Sequence, residues 1–149
     1  MPARWIVAAD QSRARIFEVP PDGDKLNEVE DLVNPEGRAK GTDLRTDGKG
    51  RYFGKGERNQ GHTAEPREDA IDHEVDLFAK RLGAYLERAR NDHRYSSLYL
   101  VAAPKFLGVM RQNFGKETLK LVADELPKDV SWFNPRDIDA YLKSKHLGA

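Results

Sequence analysis

The chain has 149 residues, 38% hydrophobic and 34% charged, which suits one very soluble domain over 1–149 that buries about 70% of its unfolded surface. Its 25 basic side chains equal its 25 acidic ones, so the whole molecule is no polyanion binder; electrostatic recognition has to come from uneven placement. With no cysteine, disulfides, thiolate nucleophiles and cysteine metal sites are excluded.

The start, MPARWIVAADQSRARIF, holds an apolar run of only five residues, 5–9. That is too short for a signal-peptide core, and no later stretch approaches the ~20 apolar residues that cross a bilayer. The expectation is a cytoplasmic protein without a membrane span. Residues 5–9, WIVAA, read as a strand covered on both faces. Asp10-Gln11-Ser12 is a turn, residues 13–19 an antiparallel partner, and Pro20-Pro21-Asp22-Gly23 a second turn. Residues 26–33 carry Asn27, Glu28, Glu30 and Asp31 between apolar positions, the pattern of a solvated edge strand.

Residues 34–66 show neither a helical nor a strand period, and a long structureless stretch of this kind is usually functional or disordered. Five of the 12 glycines fall within residues 48–61, GKGRYFGKGERNQG. Between Arg38 and His62, seven cations (Arg38, Lys40, Arg45, Lys49, Arg51, Lys55, Arg58) face three acids (Asp43, Asp47, Glu57), a net of +4. Cations can space along phosphates, glycines let the backbone approach, and Tyr52 and Phe53 can stack on unpaired bases. Two alternatives stand beside that reading: the charges only keep a linker soluble, or the two rings tuck into the core.

From Pro66 the period changes. Ile71, Val75, Phe78, Leu82, Tyr85, Leu86 and Ala89 share one helical face, with acids at its start and Arg88 and Arg90 near its end. Residues 97–103 form a second fully covered strand, and Pro104 opens a helix through Met110. Gly115 interrupts it, a further helix is predicted over 116–126, and a short strand over 130–133. Asn134-Pro135 caps a last helix bearing Ile138, Tyr141 and Leu142.

Three meandering strands followed by right-handed crossovers give an α/β fold: a mixed five-stranded sheet in order 3-2-1-4-5, strand 2 antiparallel, with helices on both faces. That is the ribonuclease-H-like layout. Connections leave strands 1 and 4 in opposite directions, so a ligand crevice is expected beyond their C-terminal ends. Its candidate residues are Asp10, Gln11 and Ser12 on one side and Pro104, Lys105 and Phe106 on the other.

A two-metal nuclease needs several carboxylates converging on ions ~4 Å apart. Asp10 is suitably placed, but strand 4 is followed by Pro104 and Lys105, which offer no acid. Asp10 therefore reads as a turn residue. Gly54-Lys55-Gly56 lacks the following Ser or Thr and the preceding strand of a phosphate loop. His73-Glu74 lacks a second histidine four residues on, because position 77 is leucine. No cofactor or metal is expected.

WIVAADQSRARIFEV, the glycine-rich basic middle and LYLVAAPKFLGVMR together resemble the bacterial host attachment protein family, proteins required for attachment to host cells. That family is similar to the central domain of archaeal and eukaryotic peptide-chain release factors, where a loop before the long helix carries Gly-Gly-Gln and promotes ester hydrolysis on the ribosome. The equivalent place here reads Asn59-Gln60-Gly61-His62-Thr63, without that signature. The resemblance implies a rigid body presenting a basic loop to RNA or the ribosome. Its candidate contacts are Arg45, Lys49, Arg51, Tyr52, Phe53, Lys55, Arg58, Gln60, Gly61 and His62. Two alternatives stay open: a hydrolase of aminoacyl or phosphate esters using Gln60, His62 or Asp10, and a surface attachment protein.

Overall fold

The apolar run WIVAA forms the middle of β1 (Arg4–Asp10), where residues 5–9 are all buried. The computed structural model describes residues 3–21, 25–34 and 64–145, with side chains from residue 70 onward in the last stretch. β2 (Arg13–Val19) runs back antiparallel to β1, and β3 (Asn27–Val33) is antiparallel to β2. The helix α1 (Ala64–Asn91) follows, then β4 (Ser97–Ala102), α2 (Pro104–Asn113), the short α3 (Lys116–Lys120), β5 (Val122–Leu126) and α4 (Pro135–Ser144). The five strands lie in the order β3-β2-β1-β4-β5, and β4 is parallel to both β1 and β5. This is the mixed sheet expected from the pattern. Residues 35–63, most of the aperiodic stretch, lie outside the described residues.

Successive side chains of a strand point to opposite faces, so β1 and β4 feed two cores. On one face Trp5, Val7, Ala9, Leu98, Leu100 and Ala102 meet Phe78, Leu82 and Leu86 of α1 and Phe106, Leu107 and Met110 of α2. On the other, Ile6, Ala8 and Val101 meet Val130 and Ile138 and Leu142 of α4. Along α1 the expected face is buried at Val75, Phe78, Leu82, Leu86 and Ala89, with Ile71 and Tyr85 half-buried. His73 is exposed, in keeping with its place on the polar side. Asn134 caps α4 by accepting the Asp137 N–H at 2.8 Å.

The predicted helix over 116–126 and strand over 130–133 are both corrected. The helix stops at Lys120, and the fifth strand is β5, paired with β4. Ala-Asp-Glu-Leu suits a helix locally, but the open edge of β4 offers backbone hydrogen bonds that outweigh propensity. Residues 130–133 instead turn, with the Phe133 N–H on the Val130 carbonyl at 3.1 Å. Arg15 holds that turn in place. Its buried guanidinium donates to the Ser131 and Phe133 carbonyls at 3.2 and 2.6 Å and forms a two-bond pair with Glu28 at 3.0 Å.

Arg15→Ala strips both carbonyls and Glu28 of their buried donor. The expected cost is about 1–3 kcal/mol in urea-induced unfolding, because the buried Ser131 carbonyl is left without its donor while Glu28 is exposed to water. Tyr95 is buried and donates to the Leu86 carbonyl at 2.8 Å, and desolvation of the phenolate pushes its pKa up from 10.0 to about 12. Below pH 10 the phenol is neutral in both states. Between pH 10 and about 12 the unfolded chain sheds the proton first, so stability falls. The decline of the urea midpoint over that window is expected to be shallower in Tyr95→Phe.

Candidate functional site

The strand order reverses direction at β1 and β4, and a cleft of about 480 Å³ opens beyond their C-terminal ends. Asp10, Gln11 and Ser12 form one wall and Ala103, Lys105 and Phe106 another. Of the crevice candidates, Asp10, Gln11, Ser12, Lys105 and Phe106 line this cleft, and Ala103 stands there in place of Pro104. α1 contributes Asp72, Val75 and Asp76, α2 adds Val109, and the β5–α4 connection adds Asp129. These residues were not anticipated. Asp72 and Asp76 lie one turn apart, a visible spacing, but which edge of α1 overhangs the strand ends is decided only by the helix's packing.

Asp10 is committed to structure. One carboxylate oxygen accepts the backbone N–H groups of Ser12 and Arg13 at 2.7 and 2.8 Å, which closes the β1–β2 turn. The other accepts the indole N–H of Trp132, a half-exposed ring that also lies under the Arg13 guanidinium, 5.4 Å from the ring centroid. Arg13 in turn forms a two-bond pair with Asp31 at 3.0 and 2.7 Å, and that bond raises its pKa. With three donors from the fold on its two oxygens, Asp10 behaves as the turn residue its sequence context implies. Among the described residues no group of three or more His, Asp or Glu side chains could hold a metal ion. Lys105 and Ser12 share the cleft with Asp10, and Ser12 is buried.

The same turn anchors the chain where the basic stretch begins. The Asn34 N–H donates to the Ser12 carbonyl at 2.8 Å, and its side-chain amide donates to the Gln11 carbonyl at 3.0 Å. Residue 34 therefore sits on the cleft rim. The chain re-enters the described structure at Ala64, about 12 Å of helix before Asp72. Arg45, Lys49, Arg51, Tyr52, Phe53, Lys55, Arg58, Gln60, Gly61 and His62 lie outside the described residues.

Asp10→Asn keeps one carbonyl oxygen but turns an amide N–H₂ toward a donor. Urea unfolding should show a loss of about 1–3 kcal/mol with the fold retained by circular dichroism.

A model of the family described as "Protein required for attachment to host cells" matches residues 5–142. No curated protein matches the chain. Among solved structures, an archaeal translation termination factor superposes with a TM-score of 0.53 at 12% identity. The match covers 96% of this chain but 34% of that one, so the chain spans about a third of the factor's length. A second structure, described only as an archaeal protein, gives a TM-score of 0.48 at 13% identity, covering 97% of this chain and 34% of that one. At 12% identity the likeness to the termination factor is one of fold. Among the described residues no helix is long and apolar enough to cross a membrane.

Proposed function

Since the chain belongs to the family of proteins required for attachment to host cells and shares its fold with part of an archaeal translation termination factor, we propose that it is an RNA- or ribosome-binding module. The basic stretch 45–62 is its contact region. Lys49, Arg51, Lys55 and Arg58 meet phosphates, Tyr52 or Phe53 stacks on a base, and Gln60, Gly61 and His62 stand at the approach to α1. The observation that carries the reading is charge placement. A molecule with no formal net charge concentrates +4 between Arg38 and His62, and Asn34, four residues before Arg38, is fastened to the turn that lines the central cleft. Cations separated by glycine suit an irregular phosphate backbone better than a protein surface. The proposed work is done in the cytoplasm by binding, without a catalytic group.

Changing Lys49, Arg51, Lys55 and Arg58 to Gln tests this directly. Each phosphate contact adds about 0.7–0.9 to the slope of log K against log salt, so the fourfold variant should lose about 3 from that slope. Co-sedimentation with ribosomal particles, measured from low to high salt, reads the change. An unaltered slope removes the proposal.

The family description favours a second reading, in which the protein is an attachment factor at the cell surface. It requires protein outside the cytoplasm on fractionation and partner capture that survives the fourfold variant. Strictly cytoplasmic protein excludes it.

A further inference from the structure

The first turn of α2 opens on the cleft with its backbone donors unspent, and we propose that, with the Ser12 hydroxyl, it holds the carboxylate of a small apolar carboxylic acid. A helix start leaves its first N–H groups without partners inside the helix and carries partial positive charge, which suits an anion. Ala103 caps α2 without a side-chain hydrogen bond, and the first turn carries no acid. Pro104 has no N–H to give, and the Leu107 N–H is already on the Ala103 carbonyl at 3.0 Å. Among the described residues the N–H groups of Lys105 and Phe106 therefore have no acceptor. Ala103, Lys105 and Phe106 all line the cleft.

Ser12 points to a ligand independently of the helix. It is only 8% exposed, and its backbone N–H and carbonyl are engaged by Asp10 and Asn34. Its hydroxyl makes no hydrogen bond among the described residues, an uncommon state for so buried a polar side chain. The unpartnered side-chain atoms sealed from solvent in those residues are Trp5 Nε1 and Arg90 Nε. The Ser12 hydroxyl is not sealed, so it opens on the cleft that Ser12 lines. Register brings it beside α2: Ala9 pairs with Ala102, and the chain leaves these neighbours into the Ser12 turn on one side and into α2 on the other.

Converging donors call for an acceptor, and their surroundings narrow it. Val75, Phe106 and Val109 give the cleft an apolar side, and about 480 Å³ lies within the range of small-ligand pockets. The Lys105 side chain adds a cation. Asp10, Asp72, Asp76 and Asp129 also line the cleft, and they repel a ligand more strongly the more negative charge it carries. A single carboxylate on a hydrocarbon body fits these terms; a phosphate dianion does not. No residue of 45–62 takes part, so this site and the RNA-binding reading stand or fall separately.

Calorimetric titration of the full chain with hydrocinnamate provides the test. Saturable binding is expected at millimolar concentrations or below, about tenfold tighter than that of hydrocinnamyl alcohol, which lacks the charge. Ser12→Ala should weaken it about tenfold without lowering the urea midpoint, because the hydroxyl holds nothing in the fold. Lys105→Met should weaken it too, and Asp72→Asn should leave it unchanged or tighter. Positions 72 and 105 are exposed, so these variants should fold, and circular dichroism checks that they do. The proposal is overturned if hydrocinnamate does not bind, if the alcohol binds as tightly, or if inorganic phosphate displaces the acid at equal concentration. It also fails if Ser12→Ala binds like the parent or lowers the midpoint, which marks a structural hydroxyl, or if Asp72→Asn weakens binding, which marks a site for a cationic group.

Discussion

The parallel pair β1 and β4 is the constraint from which the architecture follows. Both strands are apolar on both faces, so neither tolerates a sheet with one side in water. Covering one face takes α1 and α2, and covering the other takes the 130–133 turn and α4. Once those layers are in place, the strand ends have nowhere to go but into a cleft between β1–β2 and β4–α2. The site's location is thus a consequence of burial, set before any functional residue is considered.

Two polar side chains keep that arrangement unique. Arg15 reaches through the second layer to hold the turn before α4, and it joins β2 to β3 through Glu28 on the way. Such a buried guanidinium is costly to desolvate, and its hydrogen bonds must all be made for it to be tolerated. Asp10 does a corresponding task at the start of β2, closing the β1–β2 turn and receiving Trp132 from the β5–α4 connection. An acid at the end of the first strand of a ribonuclease-H-like sheet invites a catalytic reading. Here three donors from the fold already hold it.

The electrostatics divide the molecule in a way that zero net charge conceals. Acids gather in the cleft, and cations gather in the stretch that begins just past the cleft rim at Asn34.

Much was legible in the chain order alone. Lack of alternation in WIVAA and LYLVAA marked the two central strands, the apolar spacing from Ile71 to Ala89 marked α1, and Asn134-Pro135 marked the start of α4. The crevice candidates Asp10, Ser12 and Lys105 followed from topology. Residues 121–126 were misread because their composition favours a helix, while the free edge of β4, a partner over twenty residues away in sequence, draws them into a strand. Asp72, Asp76 and Asp129 went unrecognised because solvated acids on helices and turns look alike until packing sets some of them beside a cleft. The amino-acid sequence by itself determined which segments must be buried and where charge is concentrated, since hydrophobic period and composition are local properties. Only the tertiary structure decided which carboxylates line one cleft, because that depends on the rotation of α1 against the sheet and on contacts the chain makes with distant parts of itself.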